Sequence, residues 1–590
     1  MSRLVKLMAV ALVVGGFAAA AAPWRIARAT VSGAFSGGLA SDAGAKAVVA
    51  GPVTFKLLPR PRLQAAQVSV SAEDGAVLLD APLLKADLDI PALLRGAWRI
   101  SAATLVEPTL TVDLDRLAAR APGGPAAGRG APVMLRLRSG LLRTRSATGF
   151  ADLVATGIDA SATWSGDGGN LVLSGTATLR GTTAHFAGAL QSPAQSLTPA
   201  GSSASLQVAS PLFEFSADGV LSGGTQEQFT GRASLATASL PKLMRTLDGF
   251  PVSLASKRAQ ISGDLVAKPH DLSLSNAQLR LDRARFEGTL AWRRDAGRGL
   301  VAGTLATDLL DLDALAGDSL DAPKVGDLYG APLTASPFGT DLDMRVSATV
   351  ARFGRVTLED AALAALVRGN RLELTLDEAA AYGGTVKARA VATLGADGID
   401  AHADLSSKHL DLGLLSEGLS GHERVGGAMT AHAALDGRGD SLRDVVADLK
   451  GDGQIGVEGG RLAGLALAQA LRRLGRRVPL DADRRGTPTT FDRAHWDVSI
   501  RDGVVRIPDG KLTAPGVSLS FGAETGLPDG RVDVHAVAAQ TDASGAPLRD
   551  GQTMPFDMRG FWAGPLTLVG RGAGGPAVAL PLVDGLAAGR

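Results

Sequence analysis

At 590 residues the chain is longer than one compact core accommodates, so several domains or a repeating architecture are expected. A net charge of +1 argues against a nucleic-acid surface, and 45% hydrophobic residues exclude a disordered chain. The absence of cysteine excludes disulfides, thiolate catalysis and cysteine metal sites, while leaving the compartment open. Aromatic residues make up only 4%, so the apolar surface comes from Ala, Val and Leu, and 74 glycines suit a chain with many tight turns.

The first element is an uncharged stretch from Leu7 to Pro23, preceded by Arg3 and Lys6. With Leu4 and Val5 it approaches the roughly 20 residues that cross a bilayer. Leu7, Val10, Leu12, Val13, Val14 and Phe17 are the expected anchor residues. Trp24 and Arg25 place an interfacial aromatic and a positive charge where a span should end. A cleaved signal peptide has the same charged start, and the Ala18–Ala22 run offers a cut site, so a processed protein is the alternative. Arg3 and Lys6 on one flank balance Arg25 and Arg28 on the other, which leaves orientation weakly determined. Both readings favour export of the body.

Past Thr30 the sequence alternates with period two over short segments, as half-buried strands do. Val68, Val70 and Ala72 show it first, then Leu84, Ala86, Leu88 and Ile90, then Leu110, Val112 and Leu114. Leu171 and Leu173, Leu272 and Leu274, Leu372, Leu374 and Leu376, and finally Val532, Val534 and Ala536 repeat the pattern. Turn residues punctuate these runs at Asp167-Gly-Gly-Asn, Asp218-Gly, Gly369-Asn, Asp397-Gly, Asp502-Gly, Asp509-Gly and Asp529-Gly. Asp-Gly between alternating runs predicts an antiparallel hairpin, because both residues tolerate positive φ.

Helices are few and short. Pro91-Ala-Leu-Leu-Arg-Gly and Leu240-Pro-Lys-Leu-Met-Arg-Thr-Leu-Asp-Gly each place Pro in a first turn and Gly as a stop. A longer candidate from Arg461 to Arg477 gathers Ala463, Leu467, Ala470, Leu471 and Leu474 on one face, as a helix packed across a sheet would. Its end carries Arg472, Arg473, Arg476 and Arg477, favourable for the helix dipole; their sharper reading is a contact for anionic lipid headgroups. The segment TLATDLLDLDAL around Asp311 resembles ADLSSKHLDLGLL around Asp411, and both tyrosines, Tyr329 and Tyr382, precede Gly. Such repetition predicts sheet units stacked side by side. Ala121–Ala131, Ser192–Ser203 and Gly570–Pro576 read as loops or joints, the last before a short apolar tail from Val578 to Leu586.

Catalytic and metal motifs are hard to find. Gly451-Asp-Gly-Gln-Ile-Gly matches GxGxxG but runs into Val-Glu-Gly-Gly rather than a helix, and no Walker lysine, GxSxG or HExxH motif occurs. The pairs Asp87/Asp89, Asp113/Asp115, Asp311/Asp313 and Asp341/Asp343 are explained by alternation, which puts i and i+2 on one wet strand face. His402, His409, His422 and His432 read as scattered surface residues. No enzyme, cofactor or metal site is expected.

A β body with few helices must cover its apolar face, either by closing on itself or by curling into a trough whose lining takes apolar ligands. Roughly twenty to thirty strands, at about 4.8 Å each, would extend on the order of 100–150 Å. The expected lining is Val68, Val70, Leu84, Leu88, Leu110, Val112, Leu372, Leu374, Leu376, Val532 and Val534.

GPVTFKLLPRPRLQAAQVSVS from Gly51, followed by ADLDIPALLRGAWRISAATLVEPTLTVDLD, is similar to the N-terminal region of the AsmA family of Gram-negative envelope proteins. LRDVVADLKGDGQIGVEGGRLAGLALAQAL, TPTTFDRAHWDVSIRDGVVRIPDGKLTAPGVSLSFGAETGLPDGRVDVH, with Thr489, Phe491, Gly503 and Gly522, and PFDMRGFWAGPLTLVG are similar to its C-terminal one. Tyr382-Gly-Gly looks like a further element, whereas the Gly/Pro/Ala run after Arg120 replaces the usual turn after the first strand block. The resemblance implies an inner-membrane protein with a periplasmic body, acting in outer-membrane biogenesis and envelope integrity. Larger relatives look like bridge-like lipid-transfer proteins with an apolar β groove for phospholipid acyl chains. The expected fold is therefore mainly β: an elongated, curled antiparallel sheet with few short helices and one N-terminal transmembrane helix. The expected divisions are an anchor (1–29), an AsmA-like N-terminal region (30–130), a middle body (131–350), an AsmA-like C-terminal region (351–570) and a tail (571–590). Expected partners are membrane phospholipid and the inner membrane, with outer-membrane assembly proteins as partners in the alternative reading, a scaffold that carries no lipid.

Overall fold

Alternation and tight turns make hairpin follow hairpin along the chain. The computed structural model describes residues 24–25, 45–58, 60–72, 77–95, 99–113, 133–145, 154–165, 169–196, 198–223, 228–246, 258–268, 271–295, 298–316, 340–395, 398–420, 425–440, 442–462, 467, 471, 488–526, 530–542, 545–549, 551–561, 566–570 and 579–581. They divide into two compact units, one reaching Asp282 and including Gly288–Gly299, the other holding Arg283–Glu287 and the residues from Leu300 onward.

The first unit opens with β1 (Trp24–Arg25), β2 (Ala45–Val49), β3 (Val53–Lys56), β4 (Arg62–Ala72) and β5 (Val77–Leu88). β2 and β3 divide β4 between them, Val49 standing opposite Val68 and Val53 opposite Ala65. β6 (Ile100–Val106) and β7 (Thr109–Asp113) each pair antiparallel with β5 and parallel with β8 (Val133–Arg145). These parallel pairings depart from the expected all-antiparallel ladder. A parallel pair needs a crossover rather than a hairpin, and the long Gly/Ala/Pro run falls between β7 and β8, outside the described residues. β9 (Val154–Trp164), β10 (Leu171–Leu179), β11 (Thr182–Leu190), β12 (Ser202–Ala209), β13 (Phe213–Ser222), β14 (Gln228–Thr237), β15 (Ala259–Lys268) and β16 (Asp271–Leu281) then pair antiparallel in chain order.

β17 (Ala284–Asp295) and β18 (Arg298–Asp311) follow. In the second unit β19 (Thr340–Phe353), β20 (Val356–Arg368), β21 (Arg371–Ala381), β22 (Gly384–Gly395), β23 (Gly398–Asp411), β24 (Val425–Gly439), β25 (Lys450–Leu462), β26 (Thr489–Arg501), β27 (Val504–Ala514), β28 (Val517–Gly526), β29 (Arg531–Gln540), β30 (Thr553–Phe561), β31 (Leu566–Gly570) and β32 (Ala579–Pro581) pair antiparallel in order.

The mainly β expectation holds, with few short helices at Ile90–Leu94, Pro193–Ser196, Leu240–Thr246, Leu312–Ala316, Leu412–Ser420 and Leu442–Ala447. Among the described residues no helix is long and apolar enough to cross a membrane, and the anchor residues Leu7, Val10, Leu12, Val13, Val14 and Phe17 lie outside them.

Several local expectations need correction. Asp502-Gly503 forms a two-residue hairpin with φ of 51° and 69°, as predicted, whereas Asp218-Gly219 and Asp509-Gly510 lie inside β13 and β27. At Gly219 a Cβ would stand 2.3 Å from the Thr230 carbonyl oxygen, so glycine there serves a close strand approach rather than a turn. Arg461 and Leu462 end β25, so the helical residues Leu467 and Leu471 come after a strand rather than continuing from Arg461. Ile90 begins a helix instead of ending the run from Leu84. Ser192–Ser203 is no simple joint, since it holds the helix Pro193–Ser196 and the start of β12.

Asp311 and Asp313 share no strand face. Asp311 closes β18 and accepts the Ala314 N–H at 2.8 Å, capping Leu312–Ala316, while Asp313 accepts the Gly354 N–H at 2.7 Å. Asp411 caps Leu412–Ser420 in the same way, taking N–H groups from Gly413 at 2.8 Å and Leu414 at 3.2 Å. The repeat around Asp311 and Asp411 is therefore a strand, a capping carboxylate and a helix, each preceded by a buried leucine, Leu310 or Leu410.

Candidate functional site

Register decides which residues share a face, because opposite residues of paired strands point to the same side. In the second unit one lateral row runs Met344–Ala365–Leu374–Ala390–Ala403–Leu435–Gly451–Ile500–Val505–Thr525–Val532–Gly560. A neighbouring row runs Val346–Leu363–Leu376–Ala388–Leu405–Ala433–Gly453–Val498. Apart from Thr525 every member is apolar or glycine. In the first unit the row Ala65–Leu84–Leu105–Leu137–Ala160–Gly175–Phe186–Val208–Phe215–Leu235–Ile261–Leu279 is apolar throughout.

The opposite face of the second unit is polar and carries cross-strand ion pairs. Arg389 meets Glu373 at 2.7 Å, Arg438 meets Asp400 at 3.0 Å, and Arg506 meets Glu524 at 3.4 Å. His402 lies between Asp436 at 2.8 Å and Asp404 at 3.2 Å. Its hydrogen bond to Asp436, aided by the charge of Asp404, raises its pKa above the ordinary histidine value. Among the described residues no group of three or more His, Asp or Glu is arranged to hold a metal ion.

Part of each apolar face is covered. In the second unit Leu467 and Leu471, 1% and 0% exposed, lie in one cluster with Val457, Phe491, Ala494, Leu512, Leu519, Ala538 and Phe556. The Leu467 N–H donates to Thr489 Oγ1 at 2.9 Å, tying that cover to β26. Trp496 and Phe521 pack against this cluster, edge to face, with ring centroids 5.8 Å apart. Farther along the strands Val498, Ile507, Ala523, Val532 and Val534 are only half-buried. Leu374 and Leu405 are 46% and 42% exposed. In the first unit Val49, Val53, Leu63, Ala65, Val68, Ala81, Leu84, Ala86 and Leu105 form a closed core.

The residues expected to line a groove are thus distributed unevenly. Leu372, Leu374, Leu376, Val532 and Val534 lie on the apolar face of the second unit. Val68 and Leu84 sit inside the first unit's core and Leu88 is buried, while Val70 is half-buried and Leu110 exposed. Val112 stands opposite Thr144 in β7, its side chain outside the described residues. Arg472, Arg473, Arg476 and Arg477 also lie outside them. Trp24 pairs with Phe55 and is exposed.

Sequence reasoning missed Trp496, Val498, Ile507, Phe521 and Ala523 as members of this face. One bulge in β27, between Ile507 and Gly510, shifts its register with both β26 and β28, whereas Ala494–Trp496–Val498–Ile500 and Leu519–Phe521–Ala523–Thr525 alternate strictly. Strict alternation on either side of Pro508 and Gly510 was the signal available.

Residues 321–510 match the model of the AsmA family, about a third of the chain. The match takes in Tyr382-Gly-Gly, the stretch from Leu442 and the stretch from Thr487 as far as Gly510, whereas the N-terminal likeness, Gly522 and the segment from Pro555 lie outside it. None of the curated proteins compared with the chain matches it.

Proposed function

From AsmA-family membership, which residues 321–510 support, we propose that this protein binds phospholipid through its apolar sheet face and serves outer-membrane biogenesis and envelope integrity. The observation that carries the reading is the pair of lateral rows through Leu374 and Leu405. They run from strand to strand without a charged residue, and they leave leucines open to solvent. An extended alkyl chain laid along such rows gains about 0.8 kcal/mol per methylene removed from water. Leu467 and Leu471 cover the face near Thr489, so the half-buried rows through Val498 and Val534 are the accessible portion.

In this reading the body is a binding surface without catalysis, attached to the inner membrane through Leu7–Pro23 and exposed to the periplasm. The polar face with its ion pairs turns to water. A photo-crosslinking amino acid at position 374 or 534 of the full chain, incubated with radiolabelled phospholipid, is expected to capture lipid, while one at His402 or Arg506 is not. Equal capture from both faces, or none from either, overturns the reading. Crosslinks from positions 374 and 534 to protein alone would favour an assembly scaffold instead.

A further inference from the structure

We propose that one end of the first unit, built from Trp24, Leu57, Ile90 and Leu94, docks onto the surface of an anionic lipid bilayer. Four strand ends and one helix bring these residues together. Trp24 stands opposite Phe55 in the β1–β3 pair, two residues from Leu57. The turn after β3 returns through Lys56 opposite Arg62, and Arg62 faces its ion-pair partner Asp87 in β5. The Leu88 N–H donates to the Pro61 carbonyl at 2.9 Å, and the Asp89 N–H to the Arg99 carbonyl at 2.8 Å. The helix Ile90–Leu94 therefore starts beside the turn that carries Leu57.

These side chains do not join the core. Leu94 is 83% exposed, Trp24 56%, Ile90 51% and Leu57 43%, although the core of the same unit lies a few residues away at Leu63, Leu84 and Ala86. Within the helix Ala92 is buried and Leu93 half-buried, while Ile90 and Leu94 are left outward. Arg25, Lys56, Arg60, Arg95 and Arg99 stand in the same turns and strand ends, while Asp87 is taken up by Arg62 and, among the described residues, Asp89 is the remaining acid there. Exposed apolar side chains that share their turns and strand ends with guanidinium and ammonium groups match the acyl boundary and phosphate layer of an anionic membrane. Trp24 also follows directly on the apolar segment Leu7–Pro23, so the chain arrives at this end from its most lipid-compatible stretch. Docking would fix how the first unit stands on the membrane.

The proposal rests on the membrane attachment proposed above, and one experiment separates the two. The chain has no cysteine, so Leu57→Cys, Leu94→Cys and, as an exposed control in β12, Gln207→Cys each accept a single environment-sensitive fluorophore. Full-length protein is mixed with vesicles of phosphatidylethanolamine and phosphatidylglycerol, with and without a headgroup nitroxide lipid. The expected result is a blue shift and nitroxide quenching at positions 57 and 94, neither at 207, with quenching lost in Arg60→Glu/Arg95→Glu. Protein that floats with vesicles while its labels stay in water overturns the docking patch and spares the attachment. Protein that does not float overturns both. A blue shift without quenching by the lipid nitroxide assigns the patch to a protein partner, such as a second copy, and overturns the proposal.

Discussion

Phe521 lies over Gly510 across the β27–β28 pair, so close that a Cβ on Gly510 would stand 2.3 Å from the ring. The same ring meets Trp496 edge to face at the border between the covered and open parts of the apolar face. Gly510→Ala is therefore expected to destabilise the second unit by about 1–3 kcal/mol through overpacking. In a Phe521→Ala background the same change should cost far less, and a double-mutant cycle by denaturant unfolding reads the difference.

The covered and open parts of the face should respond differently to charge. Leu519→Asp places a carboxylate in the closed cluster and is expected to prevent folding of the second unit, seen as lost near-UV circular dichroism. Val534→Asp, in a half-buried row, should leave that signal and abolish lipid capture from position 374. Undiminished capture would show that the row does not carry lipid.

Thr525 is the hydroxyl in an otherwise apolar row, and its Oγ1 is buried with no hydrogen-bond partner among the described residues. Thr525→Val removes an unsatisfied group at nearly constant shape. The expected outcome is unchanged or raised stability, by up to about 1 kcal/mol, measured as a shift in denaturant midpoint.

Asp311 and Asp411 each cap the helix that follows their strand, and Asp→Ala at either should cost about 1 kcal/mol. Hydrogen exchange is expected to quicken locally, at Ala314 for the first and at Gly413 and Leu414 for the second. Exchange unchanged at those amides would remove the capping role.

His402 gives a pH signature. Its hydrogen bond to Asp436, with Asp404 also in reach, raises its folded-state pKa, so the stabilisation it brings is complete below the ordinary value near about 6.5 and fades as pH rises through the raised one. His402→Gln should therefore lower the melting temperature most under mildly acidic conditions and little in alkali. Thermal melts across that range check the sign.

Much of this protein was readable in its residues. Period-two alternation places Leu372, Leu374 and Leu376 in one strand and Val532 and Val534 in another, and Asp502-Gly503 marks its hairpin, because side-chain direction and positive φ are local properties. The likeness between the stretches around Asp311 and Asp411 likewise surfaces as one repeated cap. Other features depend on partners far away in the chain. Whether Leu374 and Val532 share a face follows from the register of every strand between them, and one bulge alters it. Asp218-Gly219 looks like a turn until β14 comes close enough to demand glycine. Val68 and Leu374 have the same pattern in sequence, yet one is enclosed by Val49 and Ala81 and the other is left open, because what covers a strand face comes from elsewhere in the fold. Alternation alone implies a β protein with an apolar and a polar side, because side-chain direction is local; which part of the apolar side is core and which is surface is set by the segments that fold over it.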